Sequence, residues 1–264
     1  MAHAFWQSNH RLDALTLPGL WSAYLHHATI HVYMALTLVA LAVTALYATA
    51  AAPLLLSAAF VVVVYPAVWY GLHRYILHGR FLYRIPATAL LWKRIHFDHH
   101  RDPHDLDVLF GSLLTTLPTI ALVTMPVGYA IGGVAGLAAA FATGLVVTGF
   151  YEFCHCIQHL KYSPGWRWVQ RIKKLHLQHH FHDERSNFGI TNYFYDRLFR
   201  TFRARPSTES VSSTVFNLGY TLDEVRRYPW VARHTPDIDI EEAATLGVGR
   251  RKREAEQGIA PVAP

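Results

Sequence analysis

Residues Val32–Leu72 read VYMALTLVALAVTALYATAAAPLLLSAAFVVVVYPAVWYGL, with no charged residue and no histidine. A second run, Val108–Tyr151, has the same character. One transmembrane helix needs about 20 apolar residues. Each run is therefore two helices joined by a tight turn. Proline and glycine mark the expected turns, at Ala51-Ala52-Pro53 in the first run and Met125-Pro126-Val127-Gly128 in the second. Leu109–Met125, with Gly111 and Pro118, is the weakest of the four segments.

Two hairpins return the chain to the side from which it entered. The N-terminus, Gly71–Asp107 and everything after Glu152 then share one face. Gly71–Asp107 carries Arg74, Arg80, Arg84, Lys93, Arg94 and Arg101, and Lys161–Arg205 is also strongly basic. The connecting turns carry no charge, so the positive-inside bias places the shared face in the cytoplasm. The fold expected is an all-α membrane protein: four transmembrane helices in two hairpins, with a cytosolic helical cap. Residues 1–31 form an N-terminal interfacial segment, in which Leu17–His31 is amphipathic with Trp21 and Tyr24 at headgroup level. Residues 32–205 form the transmembrane and catalytic domain, and 206–264 a polar tail with a short helix near Leu222–Tyr228.

The composition agrees with this organisation. The 264 residues are 52% hydrophobic and 16% charged, with a net charge of +6. That excludes a disordered chain, a collagen and a disulfide-stapled secreted domain. The basic excess suits anionic lipid headgroups. No nucleic-acid motif accompanies it, so no nucleic-acid partner is expected. No secretory signal is evident in Met1–His10. Cys154 and Cys156 are read as reduced structural residues.

Histidine is the anomaly: there are 18, equal to Asp and Glu together. Ten fall in four boxes: His73 and His78; His96, His99 and His100; His155 and His159; His176, His179 and His180. All four boxes lie on the expected cytoplasmic face. Helical positions i, i+3 and i+4 share one face, so the two HxxHH boxes and the His155/His159 pair can each present their rings together. His73 and His78 are five apart and need a helix end or a bend, for which Gly79 is available. The remaining histidines, including His3, His10, His104 and His234, are read as packing or headgroup residues; His26, His27 and His31 belong to the interfacial segment.

Neutral imidazole binds zinc, copper, iron and nickel, whereas magnesium and calcium prefer oxygen. Ten histidines suit two ions with some positions open. A closed structural zinc site needs only four ligands, often thiolates. Two irons held largely by imidazole can bind O₂ and oxidise an unactivated C–H bond, and the membrane edge supplies a lipid. A transporter would place its polar ligands within the spans, where both runs have no histidine. Asp98, Asp183, Asn187 and His182 are the nearest candidates for receiving the second N–H of a metal-bound ring. Asp196-Arg197 is read as an ion pair anchoring the cap.

The boxes HRYILH (His73–His78), HFDHH (His96–His100), HCIQH (His155–His159) and LHLQHH (Leu175–His180), followed by NFGITNYFYDRLFRTF (Asn187–Phe202), carry a resemblance. From about Ser57 to Phe202 the sequence resembles the fatty acid hydroxylase / sterol desaturase superfamily of integral-membrane di-iron enzymes. The resemblance implies four transmembrane helices under a cytosolic cap. It also implies the ten box histidines as ligands of two iron ions, which zinc can replace in a purified protein, and O₂ as co-substrate. The box order is most similar to fatty acid 2-hydroxylases. Those often carry a fused cytochrome b5 module with a His-Pro-Gly-Gly motif, which this sequence does not contain. Electrons are then expected from a separate cytochrome b5-like protein, ferredoxin or reductase. The function implied is lipid hydroxylation. The alternatives are a lipid or sterol desaturase using the same centre, and a metal- or haem-binding membrane protein without oxygenase activity.

Overall fold

The structure is a computed structural model, and it describes residues 11–161, 165–205 and 211–235. His3, His10 and the final basic run at Arg250–Arg253 lie outside the described residues. The described chain is helical and has no strand; its one β-bridge joins Arg11 to Asp105.

A short helix α1 (Leu17–His26) leads to α2 (Ala28–Tyr47) and α3 (Ala51–Gly71). His27 separates the first two: its Nδ1 accepts from Thr29 N at 3.3 Å and caps α2. Its ring stacks on Phe110 at 3.9 Å, so it packs inward instead of meeting headgroups. The first hairpin turn lies at Ala48–Ala50, just before the expected one. Ala51-Ala52-Pro53 is the opening turn of α3, where proline costs no hydrogen bond.

After α3 the chain forms α4 (Pro86–Trp92), α5 (Asp98–Arg101), α6 (Leu106–Leu109) and the long α7 (Leu113–His159). α7 is bent back on itself at Gly132 and Gly133. A Cβ on Gly128 would strike the Gly136 carbonyl, and one on Gly144 would meet Ile120 and Thr124. Contacts thus recede symmetrically from Gly132, as two antiparallel arms require. The second turn is therefore later than the expected Met125–Gly128. Gly133 has φ 58° and ψ −144°, a combination that essentially only glycine adopts. Pro118 and Pro126 remain inside the helical arms, as prolines can where neighbouring helices satisfy the freed backbone groups.

Among the described residues, three helical stretches are long and apolar enough to cross a membrane: Ala28–Tyr47, Ala51–Arg84 and Leu106–His159. Their outer faces are bare hydrocarbon, with Leu38, Leu46, Val63 and Leu122 all more than half exposed. In water such a surface would be costly; in a bilayer it is the solvent-facing side. α7 packs along both α2 and α3 through small residues such as Ala135, Gly136, Ala139 and Ala140, which let helices approach closely.

Three shorter helices follow: α8 (Arg167–Phe181), α9 (Phe194–Leu198) and α10 (Leu222–Arg227). Within the stretch read as a polar tail, the described residues 211–235 contain the expected short helix, α10, and pack inward. Leu218, Tyr220, Val225 and Val231 are buried against Tyr83, Ala89, Trp92 and Phe97. The alternation of polar and apolar residues there hides this packing from composition alone. Glu224 ties the same junction, accepting from Tyr83 Oη at 2.9 Å and from two nitrogens of Arg84 at 2.9 and 3.1 Å.

Candidate metal centre

The ten box histidines converge as two groups of five. His73, His78, His96, His100 and His179 form one; His99, His155, His159, His176 and His180 form the other. Within each group one ring nitrogen of every residue lies within 4.8 Å of all the others. Eight of the ten are buried; His78 and His155 are partly exposed.

The distribution follows from helix geometry. Each cluster takes both histidines of one two-histidine box. Each also takes an i, i+4 pair from one HxxHH box and the single i+3 histidine of the other. Thus His96 and His100 point to the first cluster while His99 points to the second. On α8 the assignment is exchanged: His176 and His180 serve the second cluster and His179 the first. Residues i and i+4 lie about 40° apart on a helix and i+3 falls on the far side of i, so a helix wedged between two sites serves both.

His73 and His78 meet through a device the bend expectation did not specify. α3 continues directly as a π-helical turn, Leu72–Leu77, in which His78 N donates to His73 O at 3.1 Å. A π-turn hydrogen-bonds i to i+5, and so brings five-apart rings to one side, with Nε2 atoms 3.3 Å apart. A second π-turn, Lys93–Phe97, carries His96 between α4 and α5. Gly79 follows the first turn, and a side chain there would strike the Tyr75 carbonyl.

Three of the second ring nitrogens answer to backbone oxygens. His73 Nδ1 lies 2.6 Å from Phe188 O, His179 Nδ1 2.7 Å from Ser186 O, and His100 Nδ1 3.2 Å from Val215 O. Each such contact makes Nδ1 the donor and leaves Nε2 free to bind a metal. The four polar candidates nearest in sequence make other bonds. Both oxygens of Asp98 accept from Lys93 Nζ, at 2.9 and 2.7 Å. Asp183 accepts from Arg185 N. Asn187 donates to Gln178 Oε1 and Arg203 O, closing the loop in which its own φ is 54°. His182 contributes its carbonyl, which accepts from Ser212 N.

Asp196 does the positioning work that those candidates do not. It is fully buried, and its carboxylate accepts from Phe188 N, Gly189 N and Thr201 Oγ1, each at 2.8 Å. It thereby holds the Phe188 carbonyl in place for His73. Its neighbour Arg197 lies over the Phe202 ring at 4.7 Å, so an Asp196-Arg197 ion pair is not what anchors the cap.

The donor set suits metal ions. Both ring nitrogens of His99 and His180, and Nε2 of His100, are buried with no hydrogen-bond partner. Such orphans are costly unless something binds them. Burial, reinforced by neighbouring imidazoles, drives His96, His99, His176, His179 and His180 well below the ordinary histidine range, and His100 down to about 3. The rings are therefore neutral at pH 7, the form that ligates. Cys154 and Cys156 are free, buried and outside both clusters.

Below the clusters lies a cavity of about 260 Å³. His73 and His96 of one cluster and His99 and His155 of the other line its upper end. Leu72, Ile76, Leu91, Ile95, Ile120 and Val123 contribute apolar walls from the cap and the apolar helices.

Fold and site together define a class: an integral membrane, all-helical protein with two histidine clusters able to hold metal ions above an apolar cavity. The fatty acid hydroxylase family model matches residues 58–201, more than half of the chain, and the chain belongs to that family. It is 30% identical over 150 residues to the ceramide very long chain fatty acid hydroxylase SCS7 of Saccharomyces cerevisiae, covering 53% of this chain and 36% of that one. It is 29% identical over 147 residues to the fatty acid 2-hydroxylase of Homo sapiens, covering 50% and 37%. The match therefore spans little more than a third of these relatives' length. Among solved structures, full-length scs7p with only its hydroxylase domain visible shares the fold. Its TM-score is 0.58 at 22% identity, over 72% of this chain and 69% of that one.

Proposed function

We propose that the chain is a lipid hydroxylase that inserts one oxygen atom from O₂ into a C–H bond of a fatty acyl chain, amide-linked as in a ceramide. The observation that carries this reading is the convergence of ten histidines into two five-membered clusters beside a cavity walled largely by apolar side chains. The names of the relatives supply the substrate class.

The ten box histidines would hold two iron ions, one per cluster. When bound, the irons supply O₂ activation with two external electrons, which a separate cytochrome b5-like protein, ferredoxin or reductase delivers. The chain's own residues do the rest. Phe188, Ser186 and Val215 carbonyls orient the rings. The apolar walls exclude water and align the lipid. The metals carry the chemistry, and the protein supplies binding and orientation.

Both arms of α7 are taken to cross the bilayer, which makes four spans in two hairpins. The cap and the termini then lie in the cytoplasm, as the basic residues of Gly71–Asp107 favour. The catalytic unit is 32–205 with residues 211–235 as part of its cap.

Lipid mass spectrometry of cells with and without the chain tests the function. A hydroxylase adds 16 mass units to an acyl chain, whereas a desaturase removes two. The product should vanish with His100→Ala and with His180→Ala. Retention of product and metal in both variants would sink the assignment.

A further inference from the structure

One carboxyl side chain lines the cavity, and it belongs to neither cluster. Glu152 sits on the second arm of α7, one helical turn before His155. It is 5% exposed and lies within an apolar stretch. Ionisable groups at such depth are expensive and are functional by default.

The two oxygens of Glu152 differ. Oε1 accepts from Tyr33 Oη of α2 at 3.3 Å. Oε2 is buried with no hydrogen-bond partner. A structural carboxyl joining α2 to α7 would need only the first. The same cavity holds an orphan of opposite sense. Trp69 lines it, and the Trp69 indole N–H is buried without an acceptor. Trp69 packs on Tyr151, the residue before Glu152, with ring centroids 4.6 Å apart. Two residues that line one largely apolar chamber thus each carry an unpaired buried polar atom, an acceptor on Glu152 and a donor on Trp69.

The geometry points to Glu152 as the residue that selects the polar end of the substrate: its free oxygen accepts the N–H of an amide-linked acyl chain, while Trp69 donates to the amide carbonyl. This rests on the lipid-hydroxylase reading and adds a position to it. Three residues of helix rise about 4.5 Å, so an amide held at Glu152 brings the first carbons of the acyl chain beneath His155 and its cluster. Oxidation then falls next to the carbonyl. A site built to pair a polar group also rejects analogues that lack it far better than an apolar pocket does.

The test is binding without turnover, using the full chain in detergent. The probes are N-methylhexadecanamide and methyl hexadecanoate, which match in length and carbonyl but differ in the N–H. Wild type is expected to bind the amide at least tenfold more tightly than the ester. Glu152→Gln keeps an oxygen for Tyr33 but presents an NH₂ group in place of Oε2, and should bring the two probes within about twofold. Tyr33→Phe should lower thermal stability yet keep the preference, which a purely structural Glu152 would not explain. Trp69→Phe should weaken both probes alike. Equal binding of both probes by wild type, or an undiminished preference in Glu152→Gln, would overturn the assignment. Absence of any hydroxylated lipid in cells would instead refute the hydroxylase reading, whatever the probes show.

Discussion

The rings of His100 and His180 stack with centroids 4.2 Å apart and planes 25° from parallel, yet the two residues belong to different clusters. They are the wall between the two candidate metal sites. Removing either should disturb both. A group one bond removed from a metal ligand is worth about 10–100-fold in affinity, and a ligand itself should be worth at least as much. His100→Ala and His180→Ala should each fall from about two bound metal ions per chain to one or fewer. Inductively coupled plasma mass spectrometry on gently purified protein checks this. Chelator treatment of the wild type should lower its melting temperature, because bound ions stabilise only the folded state.

Asp196 acts on the centre at one remove. Its carboxylate holds Phe188 N and Gly189 N, and the Phe188 carbonyl receives His73 Nδ1. Asp196→Ala orphans two buried N–H groups, each worth about 1–3 kcal/mol. The melting temperature should drop, and metal affinity should fall about 10–100-fold. Asp196→Asn keeps one acceptor oxygen and should lie between. Normal metal content in a destabilised Asp196→Ala would reduce the residue to a fold anchor.

The junction at Glu224 gives a pH dependence of known sign. Partial burial would raise this carboxyl, but hydrogen bonds from Arg84 and Tyr83 outweigh it and hold it below the usual range. A depressed folded value means the contribution is complete above the unfolded value near 4.5 and disappears as pH falls through the folded one. Glu224→Gln should therefore melt slightly lower than wild type at pH 7, and the gap should close below pH 4. Differential scanning fluorimetry at both pH values checks it.

Gly133 closes the second hairpin at φ 58° and ψ −144°. Gly133→Val should cost about 1–3 kcal/mol from backbone strain. The reading of four spans adds a second outcome. A cysteine introduced at Gly132 or Gly133 should react with a membrane-impermeant thiol reagent from outside the cell, and one at Arg101 should not.

Much of this protein follows from its sequence. Two long charge-free runs set the apolar helices, because a helix satisfies all its backbone groups within one segment, as lipid requires. The spacing of the four boxes sets which rings share a helical face. Local spacing could not say which cluster each ring joins. His99 parts from His96 and His100 only because α5 lies between two sites, and the relative placement of helices is a non-local property. The π-turn that unites His73 with His78 was equally hidden, since helical periodicity assumes one pitch. The polar groups nearest the boxes in sequence make hydrogen bonds elsewhere. Three rings instead meet the carbonyls of Phe188, Ser186 and Val215, and every residue has a carbonyl, so sequence carries no trace of which one is used. The hairpin turn fell at Gly132-Gly133 because the backbone there needs a conformation that proline cannot adopt. Chain chemistry alone therefore determined the apolar helices and the ten histidines that cluster. Tertiary packing decided how the histidines divide, which carbonyls meet their rings and which carboxyl oxygen is left unpaired, because all three depend on residues distant in sequence meeting at a few ångströms.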